Sequence, residues 1–316
     1  MTGLAAILAL AAAASAAGPQ ALFAPIPQSG FTRSTAPAST EGDFAGPDDE
    51  TIAAQADRQR RLTVPVHIEG HGPFRFMIDT GAQRTVLSTA LAAELGLENG
   101  PQLRVAGIVQ EARVPSAWVR NLDLGQLTLE EMNVLLLEQA HMGADGIIGT
   151  DSLQDRRVLL DLEGDQITVG DSDSFGGKDS YEIVVRARRK SGQLILTNAR
   201  IDGINVAVVI DTGAENSVGN RALQAALGKR GSSFKPVMLE SVTGHSMLAD
   251  VSYPRALALR EVSINNPAIA FTDTPAFAEL GLESKPAIFL GMREMRVFSR
   301  VAIDFAKRKV LFDLPG

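Results

Sequence analysis

The feature that most constrains this chain is an internal repeat. Asp79-Thr80-Gly81-Ala82 recurs as Asp211-Thr212-Gly213-Ala214, an offset of 211 − 79 = 132. Each copy follows an apolar run, Phe76-Met77-Ile78 in the first and Val208-Val209-Ile210 in the second. The offset persists beyond the motif: Val86 matches Val218, Ser88 matches Asn220, Leu91 and Leu95 match Leu223 and Leu227, and Gly96 matches Gly228. Ser and Asn are good helix N-caps, leucines four apart share a helix face, and glycine suits a helix stop. Each half therefore predicts a strand, a sharp turn, a short strand and a short helix. Small insertions follow, and the order holds. Val105-Ala106-Gly107-Ile108-Val109 corresponds to Val242-Thr243-Gly244-His245, and Gly146-Ile147-Ile148-Gly149 to Ile288-Phe289-Leu290-Gly291. Val158-Leu159-Leu160-Asp161 corresponds to Val301-Ala302-Ile303-Asp304. Asp-Thr-Gly alone arises about once in several thousand positions at average residue usage; two copies in register with these other matches are far rarer.

The rest of the chain is arranged around the repeat. Its 316 residues are enough for two compact domains. Leu4 to Ala17 is a short, alanine-rich apolar run ending in small residues, so 1–17 reads as a signal peptide. No basic residue precedes Leu4, which departs from that pattern. Residues 18–58 are rich in Pro, Ser, Ala, Thr and Gly and show no period; they read as a disordered linker, with a propeptide as the lesser reading. Strand-like texture then runs over 59–170, breaks at a Gly/Ser/Asp-rich inter-lobe linker over 171–180, and resumes over 181–316.

Two carboxylates on equivalent turns of two equivalent lobes would meet at a pseudo-two-fold axis. Like charges about 3 Å apart cannot both ionise, so such a pair shares one proton. The pair can take a proton from water while giving one to a substrate oxygen, which is general acid–base catalysis. Asp79 and Asp211 are thus the candidate catalytic residues. Gly81 and Gly213 permit tight turns and close approach. Thr80 and Thr212 offer hydroxyls that reach across the interface, and Ala82 and Ala214 keep the floor small. A lone Asp-Thr-Gly is ordinarily only a turn in which Asp bonds its own backbone; the duplication is what favours chemistry.

At these residues the chain resembles the retropepsin-like aspartic proteases, in the form that carries two repeats in one chain. Ile78-Asp79-Thr80-Gly81-Ala82-Gln83-Arg84-Thr85-Val86-Leu87 is close to the retroviral active-site pattern, and Ile210–Val218 is a looser copy. The resemblance covers about Leu62 to Phe312. It implies an all-β, two-lobed acid-protease fold of β-barrel lobes with one short helix each, a cleft between lobes, and two hairpin flaps. Flap tips would fall near Gly107 and Gly244. Val86, Ile108, Val218, Ile148 and Leu290, with Ala106, would line substrate subsites; ordinary core packing is the competing reading for them. The implied activity is aspartic endopeptidase, needing no cofactor and no metal, active as a monomer on peptide or protein substrates. Departures exist. Neither Tyr181 nor Tyr253 matches a flap tip, and Thr150 and Met292 stand where the retroviral pattern has Arg, with Arg293 one residue late. Ala82 and Ala214 replace the hydroxyl residue of pepsin-like enzymes, which suggests a less acidic working range.

Other chemistries fit poorly. A net charge of −7 argues against a nucleic-acid partner. The absence of cysteine excludes disulfides, thiol catalysis and thiolate zinc sites. His67, His71, His141 and His245 are scattered, and the first two lie in a strand-and-turn context rather than on a helix. After signal cleavage no stable membrane insertion is expected, and a periplasmic or secreted location follows. Two rivals stand beside the enzyme: a non-catalytic peptide-binding module on the same fold, and an envelope scaffold in which the Asp-Thr-Gly turns are structural only.

Overall fold

The computed structural model describes residues 6–7, 31–33, 50–56, 62–107, 111–171, 181, 183–240 and 246–316. The first half is built from β1 (Leu62–Ile68), β2 (His71–Ile78), β3 (Val86–Ser88), α1 (Thr89–Glu94), β4 (Leu103–Ala106), β5 (Glu111–Val114), β6 (Ser116–Leu124), β7 (Leu127–Leu137), α2 (Gln139–Met142) and β8 (Gly146–Ile148). A 3-10 turn at Thr150–Ser152 leads to β9 (Arg156–Asp161) and β10 (Gln166–Asp171). Pairing runs β1-β2-β8-β3-β7-β6 and returns to β1 through Leu122 opposite Ile68, closing a six-stranded barrel. Closure leaves this ring without edges to template pairing.

The second half repeats the ring. Its elements are β11 (Ile183–Lys190), β12 (Gln193–Ile201), β13 (Ile204–Ile210), β14 (Ser217–Gly219), α3 (Arg221–Gly228), β15 (Lys235–Glu240), β16 (Ser246–Ser252), β17 (Ala256–Leu259), β18 (Val262–Asn265), β19 (Ile269–Phe271), α4 (Pro275–Glu279), β20 (Ala287–Leu290), α5 (Met292–Met295), β21 (Arg300–Asp304) and β22 (Lys309–Asp313). Here the counterpart of β7 is split into β18 and β19, and Asn266 takes a left-handed φ of 50° at the break. The expectation of an all-β, two-lobed fold holds. The expectation of one short helix per lobe is too few: α2, α4 and α5 are extra single turns in the connections beside α1 and α3.

The near-continuous apolar runs of the repeat are explained by burial on both faces. Phe76 and Ile78 of β2 enter the main core, whereas Met77 between them joins a smaller cluster with Ala82, Val86 and Val105. In β13, Val208 and Ile210 face the main core, and Val209 joins Ala214, Val218 and Phe289. Helix entry follows the capping residues. Ser88 Oγ accepts from the Leu91 amide at 3.2 Å, and Asn220 Oδ1 from the Leu223 amide at 2.9 Å. Gly96 takes φ +61° just past α1, but Gly228 does not stop α3, which continues through it to a C-cap at Lys229.

The lobes share a sheet. Strands run in the order β11-β22-β21-β9-β10, and Glu50–Ala53 adds antiparallel to the β10 edge. At the β9–β21 junction Arg157 lies opposite Asp304, and Arg157 Nη2 meets Asp304 Oδ2 at 2.9 Å in a buried ion pair. Within 18–58, read from sequence as a disordered linker, the described residues 31–33 and 50–56 join strand edges. Glu50–Ala53 pairs with β10 and buries Ile52, Gln55–Ala56 pairs with β1, and Phe31–Arg33 pairs with β18. Within the expected signal segment, the backbone of Ala6–Ile7 pairs in parallel with Val105–Ala106 of β4. The expected linker at 171–180 falls, apart from Asp171 at the end of β10, outside the described residues.

Candidate active site

The two Asp-Thr-Gly turns meet between the lobes, each seated by the same bonds. The Asp79 amide donates to Ile148 O at 3.0 Å, and the Asp211 amide to Leu290 O at 3.0 Å. Beyond each turn, Thr150 N donates to Ala82 O and Met292 N to Ala214 O, both at 2.8 Å. These contacts tie each turn to the apolar-apolar-Gly segment of its own lobe. They also account for Gly149 and Gly291: an added Cβ would come within 2.4 Å of the Arg84 carbonyl carbon or 2.7 Å of that of Asn216.

Across the axis the threonines interlock. Thr80 Oγ1 donates to Ile210 O at 2.8 Å and accepts from the Thr212 amide at 3.3 Å. Reciprocally, Thr212 Oγ1 donates to Ile78 O at 2.6 Å and accepts from the Thr80 amide at 3.0 Å. All four bonds are buried, where the desolvation penalty for leaving a group unpaired is largest.

The carboxylates are fully buried against the opposite turn. A Cβ on Gly81 would fall 2.5 Å from Asp211 Cγ, and one on Gly213 would fall 2.3 Å from Asp79 Cγ. Only glycine lets each backbone lie flat against the other lobe's carboxylate. Asp79 Oδ1 accepts from the Gly81 amide at 2.7 Å and the Ala82 amide at 3.0 Å. Burial pushes the Asp211 carboxyl well above the usual carboxylate range. Repulsion from Asp79 and a side-chain hydrogen bond with Asp79 add to that, while the Ala214 and Gly213 amides pull the other way. The pair therefore holds a proton at pH values where free aspartates are ionised, and it titrates as a unit.

Behind the turns the two lobes are supported by different chemistry. In the first, Thr85 Oγ1 accepts from the Gly149 amide at 3.1 Å and bonds Asp151 Oδ1 at 2.8 Å; Arg84 Nε lies 3.3 Å from Asp151 Oδ2. In the second, Ser217 Oγ accepts from the Gly291 amide at 3.0 Å and donates to Glu294 Oε2, while Glu294 Oε1 accepts from the Ala268 amide at 3.1 Å. Glu294 is fully buried, and burial pushes its carboxyl up to about 7 against the pull of its hydrogen bonds and of Arg293. Arg293 itself bonds Asn216 Oδ1 at 3.4 Å. Thr85 and Ser217 keep the 132-residue offset and were discoverable from it; Glu294 and Gln193, whose Nε2 donates to Gly81 O, had no such signal.

The expected subsite residues divide. Val86, Val218, Ile148 and Leu290 are fully buried; Ile148 and Leu290 lie in the main core and the other two in its satellites. Val86 packs with Val105 and Val114 of the β4–β5 hairpin, and Val218 with Ala214 and Phe289. Ala106 and Gly107 are buried at the end of β4, whereas Ile108, Gly244 and His245 lie outside the described residues. The hairpin β4–β5 rests on the second lobe as well as the first, through Arg104 Nη2 and Glu279 Oε1 of α4 at 3.7 Å. His67, His71 and His141 are exposed, and no cluster of three or more potential metal ligands occurs among the described residues.

A duplicated β-barrel that presents two mutually buried carboxylates on its pseudo-two-fold axis is the architecture of a single-chain aspartic protease. The comparison with known families agrees: a family model described as aspartyl protease matches residues 64–152 and, a second time, residues 197–293, more than half of the chain. The chain belongs to the aspartyl protease family. Each match spans one repeat and contains one of the two turns. No helix among the described residues is long and apolar enough to cross a membrane.

Proposed function

We propose that this protein is an aspartic endopeptidase in which Asp79 and Asp211 together activate water for attack on a peptide carbonyl. The observation that carries the reading is the mutual burial of the two carboxyls, each against the other lobe's turn glycine. A scaffold has no use for two acids forced together at this cost, whereas a carboxylate dyad requires it. With one proton on the pair, the ionised member takes a proton from the attacking water. The protonated member gives its own to the developing oxyanion, so the dyad ends the step with the same proton count. The gem-diol intermediate then collapses with proton transfer to the leaving amine. An extended substrate would lie between the turns and the hairpins β4–β5 and β15–β16, adding backbone pairing to the hairpin edges.

The test is hydrolysis of a mixed peptide library from pH 3 to 8 by the purified protein, beside Asp79→Asn and Asp211→Asn. Cleavage by the wild type, abolished in both variants with their fold intact, is expected. Retained peptidase activity in both variants would end the dyad assignment, and binding without cleavage at every pH would leave a peptide-binding module. The apolar Leu4–Ala17 run supports an exported enzyme. N-terminal sequencing of the protein from fractionated cells tests that, and an intact Met1 in the cytosolic fraction would reject it.

A further inference from the structure

The turn that carries Asp79 is held from the second lobe in two places. One is the threonine interlock. The other is Gln193, the first residue of β12, which is fully buried and donates from Nε2 to the carbonyl of Gly81. That carbonyl belongs to the Gly81–Ala82 peptide unit, and the N–H of the same unit donates to Asp79 Oδ1 at 3.0 Å. One rigid, planar group thus connects the Gln193 amide to the Asp79 carboxylate. A donor on the carbonyl fixes the plane's orientation and polarises its N–H, strengthening the bond to the carboxylate.

Packing alone does not account for this residue. Gln193 Oε1 is buried without a hydrogen-bond partner. An unpaired buried acceptor costs about 1–3 kcal/mol, which an apolar side chain of similar length would avoid. The hairpin that delivers Gln193 is itself fastened to the first lobe. Ser191 and Gly192 take left-handed φ values of 49° and 84° at its tip. Gln154 Nε2 donates to Gly192 O at 3.3 Å and to Thr150 O at 2.7 Å, while Arg189 Nη1 donates to Gln154 Oε1 at 3.1 Å. A Cβ on Gly192 would meet Thr150 Oγ1 at 2.7 Å, so the tip sits tightly on the 3-10 turn.

We infer that Gln193 is a positioning residue of the dyad, acting from the opposite lobe through the Gly81–Ala82 peptide to orient the donor on Asp79. The inference rests on the peptidase reading above. The test uses one peptide that the wild type cleaves, with Gln193→Met and Gln193→Glu. Gln193→Met keeps the length and loses the donor. Its kcat should fall about 10- to 100-fold, the scale of small misplacements in an active site, with KM within about twofold. The acidic limb of its pH–rate profile should move up, because a weaker donor stabilises the ionised carboxylate less. Gln193→Glu donates to Gly81 only when protonated, so its turnover should match the wild type at low pH and fall away earlier as pH rises.

A folded Gln193→Met with an unmoved acidic limb and an unchanged kcat would overturn the inference. Should that variant not fold, a Gln193→Glu profile superimposable on the wild type would overturn it instead. If the wild type cleaves nothing, the peptidase reading fails separately. Carboxyl 13C titration of the pair in Gln193→Met then decides, an unmoved titration refuting the positioning role and an upward one supporting it.

Discussion

Replacing Glu294 with Gln should remove a pH-dependent weakness behind the Asp211 turn. The side chain is fully buried, and its carboxyl is raised from 4.5 to about 7. A carboxyl with a raised folded-state pKa binds its proton more tightly in the native than in the unfolded chain. Its stabilising contribution is therefore complete below pH 4.5 and is lost as pH rises through 7. At 1.36 kcal/mol per pKa unit the loss is about 3 kcal/mol. The amide introduced by Glu294→Gln would be a permanent analogue of the protonated acid. Its carbonyl can accept from the Ala268 amide, and its NH2 can donate to Ser217 Oγ, which has a second lone pair for the Gly291 amide. Any cost of turning the Ser217 hydroxyl is the same at every pH, and the dyad's own titration is common to both proteins. Both drop out when the stability difference is followed against pH. Urea unfolding from pH 5 to 9 should show Glu294→Gln gaining about 3 kcal/mol on the wild type across the series. In thermal unfolding this is about 5 °C for a chain of this size. A difference that stays flat with pH would refute the reasoning and mean that Glu294 is already ionised in the native protein or reached by water.

Gly213→Ala places a Cβ 2.3 Å from Asp79 Cγ, so hydrolysis of a peptide library should be lost even where circular dichroism shows the fold retained; wild-type activity would mean that the turns do not meet. Arg157→Met leaves Asp304 buried without its cation and should cost about 3–5 kcal/mol in urea unfolding, with most of it recovered in Arg157→Met/Asp304→Leu. Because burial raises Asp211 and Asp79 reinforces the shift, activity should fall on the alkaline side as the pair loses its shared proton. A rate still rising with pH above 8 would contradict a one-proton dyad. Leu290→Ala truncates a fully buried side chain next to the Asp211 turn and should cost about 2–5 kcal/mol; a neutral effect would return Leu290 to the open cleft.

What the sequence made legible is what symmetry forces to be written twice. Two turns that must meet across one axis need the same small residues, so Gly81 and Gly213 are both fixed by the other lobe's carboxylate. The strands behind them are written twice as well, because Phe76-Met77-Ile78 and Val208-Val209-Ile210 are each buried on two faces. In a strand buried on both faces, the apolar residue backing a cleft and the one filling a barrel look alike in sequence, and Ile148 and Leu290 are packed in the main core. Features that break the symmetry left no repeat to find. The Gly149 and Gly291 amides both need a hydroxyl, supplied by Thr85 and Ser217 at the shared offset. What then satisfies the hydroxyl is Asp151 with Arg84 in one lobe and a buried, protonatable Glu294 in the other. Gln193 reaches its partner over 112 residues of sequence, with no period to announce it. The strand pairings of Glu50–Ala53 and Gln55–Ala56 were hidden for another reason: two to four residues carry too little alternation to read, and their pairing is supplied by the edges they join. A dyad needs two like acids, but nothing requires their supports to match. The second lobe thus carries a buried protonatable acid, Glu294, and a cross-lobe amide, Gln193, while the first holds its turn with the Arg84–Asp151 ion pair, whose carboxyl burial raises against the pull of Thr85 and Arg84.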